Sequence, residues 1–190
     1  MSELADEVVI GRVVGGDTQA FNFVVTKYQD KVFRYVYSNL GNYDDALEAT
    51  QDIFVTVFQS LAKFRGESKF STWLYSITSN YCKNYNRKKR RYNLVPIFSR
   101  DEQGETELPL VDIRENPEKK VELDASLEIA NEELAKMPED YKKILVLRDI
   151  EGYSYEDIAD ILGISLANVK VRIHRGRAML KQKLGERGIV

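Results

Sequence analysis

The stretch "YEDIADILGISLANVKVRIHRGRAML", Tyr155 to Leu180, decides the fold. Ser154, just ahead of it, and Asp157 form the start signal of a helix. Ile158, Ala159 and Leu162 fall on the inward side of that helix, and Gly163 supplies a left-handed stop. Ile164 plugs the turn and Ser165 caps the next helix. Two helices joined by a short glycine-containing turn predict a helix-turn-helix. At about 100° per residue, Val169, Ile173, Gly176, Leu180 and Leu184 share the buried face of the second helix. Opposite them lie Ala167, Val171, His174, Arg175 and Ala178, with Lys170 and Arg172 on the flanks. Small, apolar and hydrogen-bonding side chains bounded by cations suit a helix lying in a DNA major groove. Arg175 fits a guanine edge, Val171 a thymine methyl, and Lys170 and Arg172 the phosphates.

That basic helix belongs to a chain whose formal net charge is −2. The discrepancy dissolves once charge is followed along the sequence. Lys83 to Arg91 contains six bases and no acid, Asp101 to Asp140 fourteen acids and four bases, and Lys170 to Arg187 seven bases and one acid. Two basic surfaces separated by an acidic connector are expected. From about Leu94 to Glu118 the helical period lapses, and Pro96, Gly104, Pro109 and Pro117 punctuate the segment. The prediction is an all-α protein of two small helical domains, 1–93 and 126–190, joined by an extended acidic linker, 94–125.

Outward to the N-terminus, a short helix near Leu4 to Val14 precedes a longer one that Asp17 can cap and Gly41 stops. Phe21, Val24, Val25, Tyr28, Val32 and Val36 recur along it at helical spacing. A second long helix begins near Asp44 and Asp45, acids that suit its positive end. Ile53, Val57 and Leu61 form its stripe with Phe54 and Phe58 beside it, while Glu48, Gln51 and Asp52 lie toward another face. A third helix, about Ser71 to Arg91, carries Trp73, Ile77, Tyr81 and Tyr85 at four-residue spacing and ends in the basic run. Around its start and along it, Phe64, Phe70, Trp73, Tyr75, Tyr81, Tyr85 and Tyr92 interleave with Arg65, Lys69 and the bases from Lys83 to Arg91. Aromatic rings beside cations offer unpaired bases a stack and phosphates a charge. The alternative for Trp73 and Ile77 is an ordinary place in the core.

Several function classes are excluded. Cys82 and His174 are each the single residue of their type, so cysteine metal clusters, paired-histidine zinc sites and the usual hydrolytic triad are out of reach. No GxGxxG or GxxxxGK[ST] phosphate loop occurs. No apolar run approaches the roughly 18 residues of a spanning helix, and "MSELADEVVI" lacks a signal peptide's basic start. The expectation is a cytoplasmic, non-enzymatic protein without cofactor, metal or direct membrane insertion.

Both halves resemble one family. "LRDIEGYSYEDIADILGISLANVKVRIHRGRAML" is similar to region 4 of the extracytoplasmic-function (group 4) sigma factors of bacterial RNA polymerase. "DALEATQDIFVTVFQSLAKFRGESKFSTWLYSITSNYCKNYNRKKRR" resembles their region 2. The resemblance implies a promoter-specificity subunit of transcription initiation, acting in an extracytoplasmic or envelope stress response. Its implied partners are core RNA polymerase (the β′ coiled coil and β flap), promoter DNA and an anti-sigma factor. Carried over residue by residue, Glu48, Gln51, Asp52 and Phe54 would meet the β′ coiled coil. Phe64, Arg65, Gly66, Phe70, Ser71 and Trp73 would take a flipped base of the minus-10 element. Asn80, Lys83, Asn84 and Arg87 would line the melted strand and the adjoining duplex. Lys170, Val171, Arg172, His174 and Arg175 would read the minus-35 element, with Arg148 on a nearby phosphate. The competing class is a free-standing helix-turn-helix regulator, for which the N-terminal domain would have no purpose.

Overall fold

The structure, a computed structural model, describes residues 5–92 and 125–188. All regular structure among them is helical. Helix α1 (Asp6–Val14) buries Val9, Ile10 and Val13. Asp17 then accepts from the Ala20 amide at 3.3 Å and caps a single 3-10 turn, Thr18–Ala20, that leads into α2 (Phe21–Leu40). The expected stripe of α2 is buried, and Tyr35 and Asn39 extend it. Helix α3 (Tyr43–Ser60) starts at Asn42, whose side chain accepts from the Asp45 amide at 2.9 Å. Lys89 reaches across to Asp45 at 2.7 Å, so one cation of the basic run is already engaged.

Helix α4 (Phe70–Tyr92) sets its packed face beside the four-residue aromatic stripe. Its buried side is Phe70, Leu74, Tyr75, Thr78 and Cys82, whereas Trp73, Ile77, Tyr81 and Tyr85 flank it half-buried. The cause is geometric. A strict four-residue step advances about 40° around a helix of 3.6 residues per turn, so the stripe winds off the packed face. Tyr75, one of the interleaved aromatics, is wholly buried, edge-on to Tyr35 at 5.4 Å.

In the C-terminal domain, α5 (Ala125–Lys136) is a helix the sequence reading did not place. Helix α6 (Glu139–Leu145) follows Pro138, then widens into one π turn, Val146–Ile150, closed by the Glu151 amide on the Val146 carbonyl at 2.9 Å. Helices α7 (Tyr155–Leu162) and α8 (Leu166–Glu186) form the helix-turn-helix. Ser154 and Ser165 cap them by accepting from the Asp157 and Asn168 amides, and Gly163 takes φ 62° in the turn. Ile158, Ile161, Val169 and Ile173 are the buried seam. A side chain at Gly176 would meet Leu145 at 3.3 Å, which is where α8 crosses α6.

The two domains touch. Helix α4 packs on α7 and α2 on α6. Tyr75 and Tyr153 bring their rings to 5.0 Å, and Arg34 reaches the buried Glu151 carboxylate at 3.4 Å. The expected linker lies outside the described residues except at Ala125, the first residue of α5.

Candidate nucleic-acid interface

Three surfaces carry the residues singled out from sequence. The first is the α3–α4 loop. Phe64, Phe70 and Trp73 form one aromatic cluster with centroid distances of 5.7, 5.3 and 5.8 Å. Phe70 is fully buried, so it floors the cluster and has no face of its own to offer. Phe64 and Trp73 are half-buried, each with an edge to solvent, and Ser71 lies beside them. Arg65 and Gly66 are exposed, and Gly66, at φ 71°, lets the loop reverse.

Further along α4, Asn80, Lys83, Asn84 and Arg87 are all exposed. Their spacing of three and four residues places them on one helix face. Arg87 donates to Asn84 Oδ1 at 3.2 Å, which fixes the guanidinium on that face.

On α3, Glu48 and Asp52 are exposed and Gln51 is half-buried. Asp52 accepts from the Tyr81 hydroxyl at 2.5 Å. Burial first, then this carboxylate, pushes the Tyr81 phenol up, so it stays a donor. Phe54 must be corrected. It is 0% exposed, edge-on to Phe21 at 6.4 Å, and supports the surface from beneath rather than belonging to it.

The third surface is α8. Val171, His174 and Arg175 are exposed opposite the buried Val169, Ile173 and Gly176, and Lys170 is exposed at their edge. Arg172 is not free in the same way: it is half-buried, 3.3 Å from Asp140. Arg148 departs further from its expected role. Its Nη1 donates to the Tyr153 carbonyl at 2.7 Å and its guanidinium lies 4.9 Å over the Tyr155 ring, so it first builds the turn into α7. Arg177 and Lys181 were missed. With Tyr155, Lys170, His174 and Ala178 they line a shallow cleft that extends the basic surface by one helical turn. Their spacing from Lys170 and His174 was readable. Arg177 is held there by Asp149.

The family models for sigma-70 region 2 and sigma-70 region 4 match residues 24–92 and 127–180, respectively. The extracytoplasmic-function (ECF) RNA polymerase sigma-E factor of Haemophilus influenzae is 38% identical over 96% of each chain. This chain belongs to the extracytoplasmic-function sigma factors. The sigma-E factor of Escherichia coli K12 is 35% identical over 97% of each chain, and the sigma-H factor of Pseudomonas aeruginosa 33% over 97% of this chain and 96% of its own. The sigma-factor fold recurs in the structure of CnrH in complex with the cytosolic domain of CnrY. That match has TM-score 0.70 and 23% identity over 96% of this chain and 99% of that one. It recurs also in the sigma factor RpoE bound to the anti-sigma factor NepR from Bartonella quintana, with TM-score 0.63 and 21% identity over 85% and 94%. As a sigma factor the protein is a non-enzymatic component of transcription initiation. No group of metal-ligating side chains, and no helix long and apolar enough to cross a membrane, occurs among the described residues.

Proposed function

We propose that this sigma factor brings core RNA polymerase to envelope-stress promoters and opens them with two separate DNA-binding surfaces. The observation that carries this reading is the pairing of an exposed Val171–His174–Arg175 face on α8 with a half-open aromatic cluster at the start of α4. One surface suits base edges in a duplex and the other an unstacked base. A regulator that only reads duplex DNA has no use for the second. In this reading, region 4 (126–190) takes the minus-35 element through Lys170, Val171, His174 and Arg175. Region 2 (1–93) takes the minus-10 element through Phe64, Trp73, Asn80, Lys83, Asn84 and Arg87. Glu48, Gln51 and Asp52 present a polar, acidic patch to the β′ coiled coil, and the linker (94–125) joins the regions along the polymerase. An anti-sigma factor restrains the protein in the cytoplasm until the signal arrives.

Run-off transcription with purified core polymerase tests the reading directly. Core plus the chain should initiate from promoters that core alone ignores. Asp52→Arg should lower core binding and transcription together while helix content stays unchanged, and Asp52→Asn, which keeps an acceptor for Tyr81, should lie between. An Asp52→Arg variant that assembles holoenzyme as well as the parent would sink the assignment of this surface.

A further inference from the structure

Lys69 and Thr72 stand where the Phe64–Ser71 loop enters α4, flanking the Phe70 and Trp73 side of the aromatic cluster. Thr72 is 1% exposed, and its hydroxyl donates to Asp157 Oδ1 on α7 at 3.0 Å. Lys69 Nζ lies 3.4 Å from Asp157 Oδ2, to which Ser154 also donates its hydroxyl at 2.7 Å. Burial pushes the Asp157 carboxyl up, but Ser154, Thr72 and Lys69 outweigh it and hold the group below its ordinary value. Region 2 therefore presents a hydroxyl and an ammonium that already grip an anion, and region 4 supplies that anion.

A hydroxyl whose acceptor sits on another domain is uncovered when that domain leaves, free to donate to water or to an incoming anion. Carboxylate and phosphodiester share the relevant chemistry: anionic oxygens that take charge-assisted hydrogen bonds. We infer that Lys69 and Thr72 form a subsite for a backbone phosphate of the melted promoter strand, and that Asp157 fills it while the two domains are closed on each other. The inference rests on the reading of the neighbouring loop as a base pocket. It adds a backbone contact to that pocket and names its intramolecular competitor. Closure and strand binding then exclude one another. The apparent dissociation constant for single-stranded DNA is the intrinsic one divided by the open fraction. Asp157 has two jobs, closing its own helix-turn-helix through Ser154 and guarding the strand site of region 2.

The experiment uses the full chain with dyes on cysteines introduced by Gln59→Cys and Gln182→Cys, at exposed positions on α3 and α8. Cys82 stays unlabelled, since burial pushes its thiol up to about 12. The probe is a fluorescent single-stranded oligonucleotide carrying the minus-10 element of a promoter that the holoenzyme opens. Asp157→Asn should lengthen the interdye distance and tighten oligonucleotide binding, by about tenfold if the parent is one-tenth open. Thr72→Val should lengthen the distance yet bind more weakly than Asp157→Asn, and Lys69→Gln, at a solvated position with no folding role, should do the same. Asp160→Asn, an exposed acid of α7 with the same charge change, should do neither. Domains that separate in Asp157→Asn without tighter binding would show that the donors are not shared with DNA. So would Lys69→Gln and Thr72→Val binding as tightly as Asp157→Asn. No separation in Asp157→Asn would remove the competitor. If Phe64→Ala alone leaves binding unchanged, the base-pocket reading fails separately, whatever Asp157 does.

Discussion

Lys142 shows what a single residue can cost this fold. It is 8% exposed, and among the described residues its ammonium donates to the Ala135 carbonyl alone, at 3.4 Å. Desolvation drives its pKa below the ordinary lysine value, against the opposing pull of Glu139. A base with a depressed folded pKa binds fewer protons in the native state than in the unfolded chain. Stability therefore rises with pH between the folded value and about 10.5. Lys142→Met should raise stability at neutral pH by about 1 kcal/mol, and the gain should shrink as the pH climbs through that window. Thermal melts of both proteins across the alkaline range check the sign. A gain independent of pH would mean that better packing, not removal of a charge, is responsible. Individual side chains were also where sequence was least legible. Phe54 sits one position along from Ile53, and hydrophobic period alone does not say that Phe21 of α2 covers it. Arg148 looked like a free cation because its two partners, the Tyr153 carbonyl and the Tyr155 ring, depend on a turn with no local signature.

Helices were far easier to read, because their ends are written in capping chemistry. Ser154 and Ser165 cap their helices through their side chains and Gly163 takes the left-handed backbone its missing Cβ allows, and the helix-turn-helix follows from them. The π turn at Val146–Ile150 was not legible, since the extra residue leaves the apolar run unbroken. Helix α5 was missed because its acidic composition merges with the linker before it. The recognition helix carries its own prediction. Arg175 lies on the exposed face with Val171 and His174, whereas Lys170 borders the cleft shared with Tyr155. Arg175→Ala should relax preference at one position of the minus-35 element, by roughly 1–3 kcal/mol for a bidentate guanine contact. Lys170→Ala should weaken binding on all sequences and reduce the salt slope by about one. Arg172→Ala should change less than either, because Asp140 already holds its guanidinium. Selection by holoenzyme from a promoter library at two salt concentrations separates these outcomes. Equal, sequence-independent losses from Arg175→Ala and Lys170→Ala would mean that the helix reads DNA shape rather than base edges.

At the scale of the whole molecule, segregation of charge along the sequence foretold two basic surfaces, but nothing in it foretold that the two domains would dock. Their contact joins residues far apart in the chain, and its polar part includes Thr72 and Lys69 on Asp157, and Arg34 on Glu151. Glu151 is the more exacting partner, with a side chain only 3% exposed against 55% for Arg34. A carboxylate so placed depends on a facing cation, and reversing that cation sets two anions against each other where water cannot screen them well. Arg34→Glu should therefore shift the protein toward a separated arrangement without unfolding either domain. Because Arg34 is itself largely solvated, the effect is expected near 1–2 kcal/mol rather than the full cost of an unpaired buried charge. About 1.4 kcal/mol corresponds to a tenfold change in the ratio of closed to open molecules, enough to enlarge the radius of gyration in small-angle scattering. The swap Arg34→Glu with Glu151→Arg should restore much of the compact form, and added salt should narrow the gap between parent and Arg34→Glu. If the single variant scatters like the parent at low salt, the pair contributes nothing to docking, and closure rests on the remaining contacts of α4 with α7 and of α2 with α6.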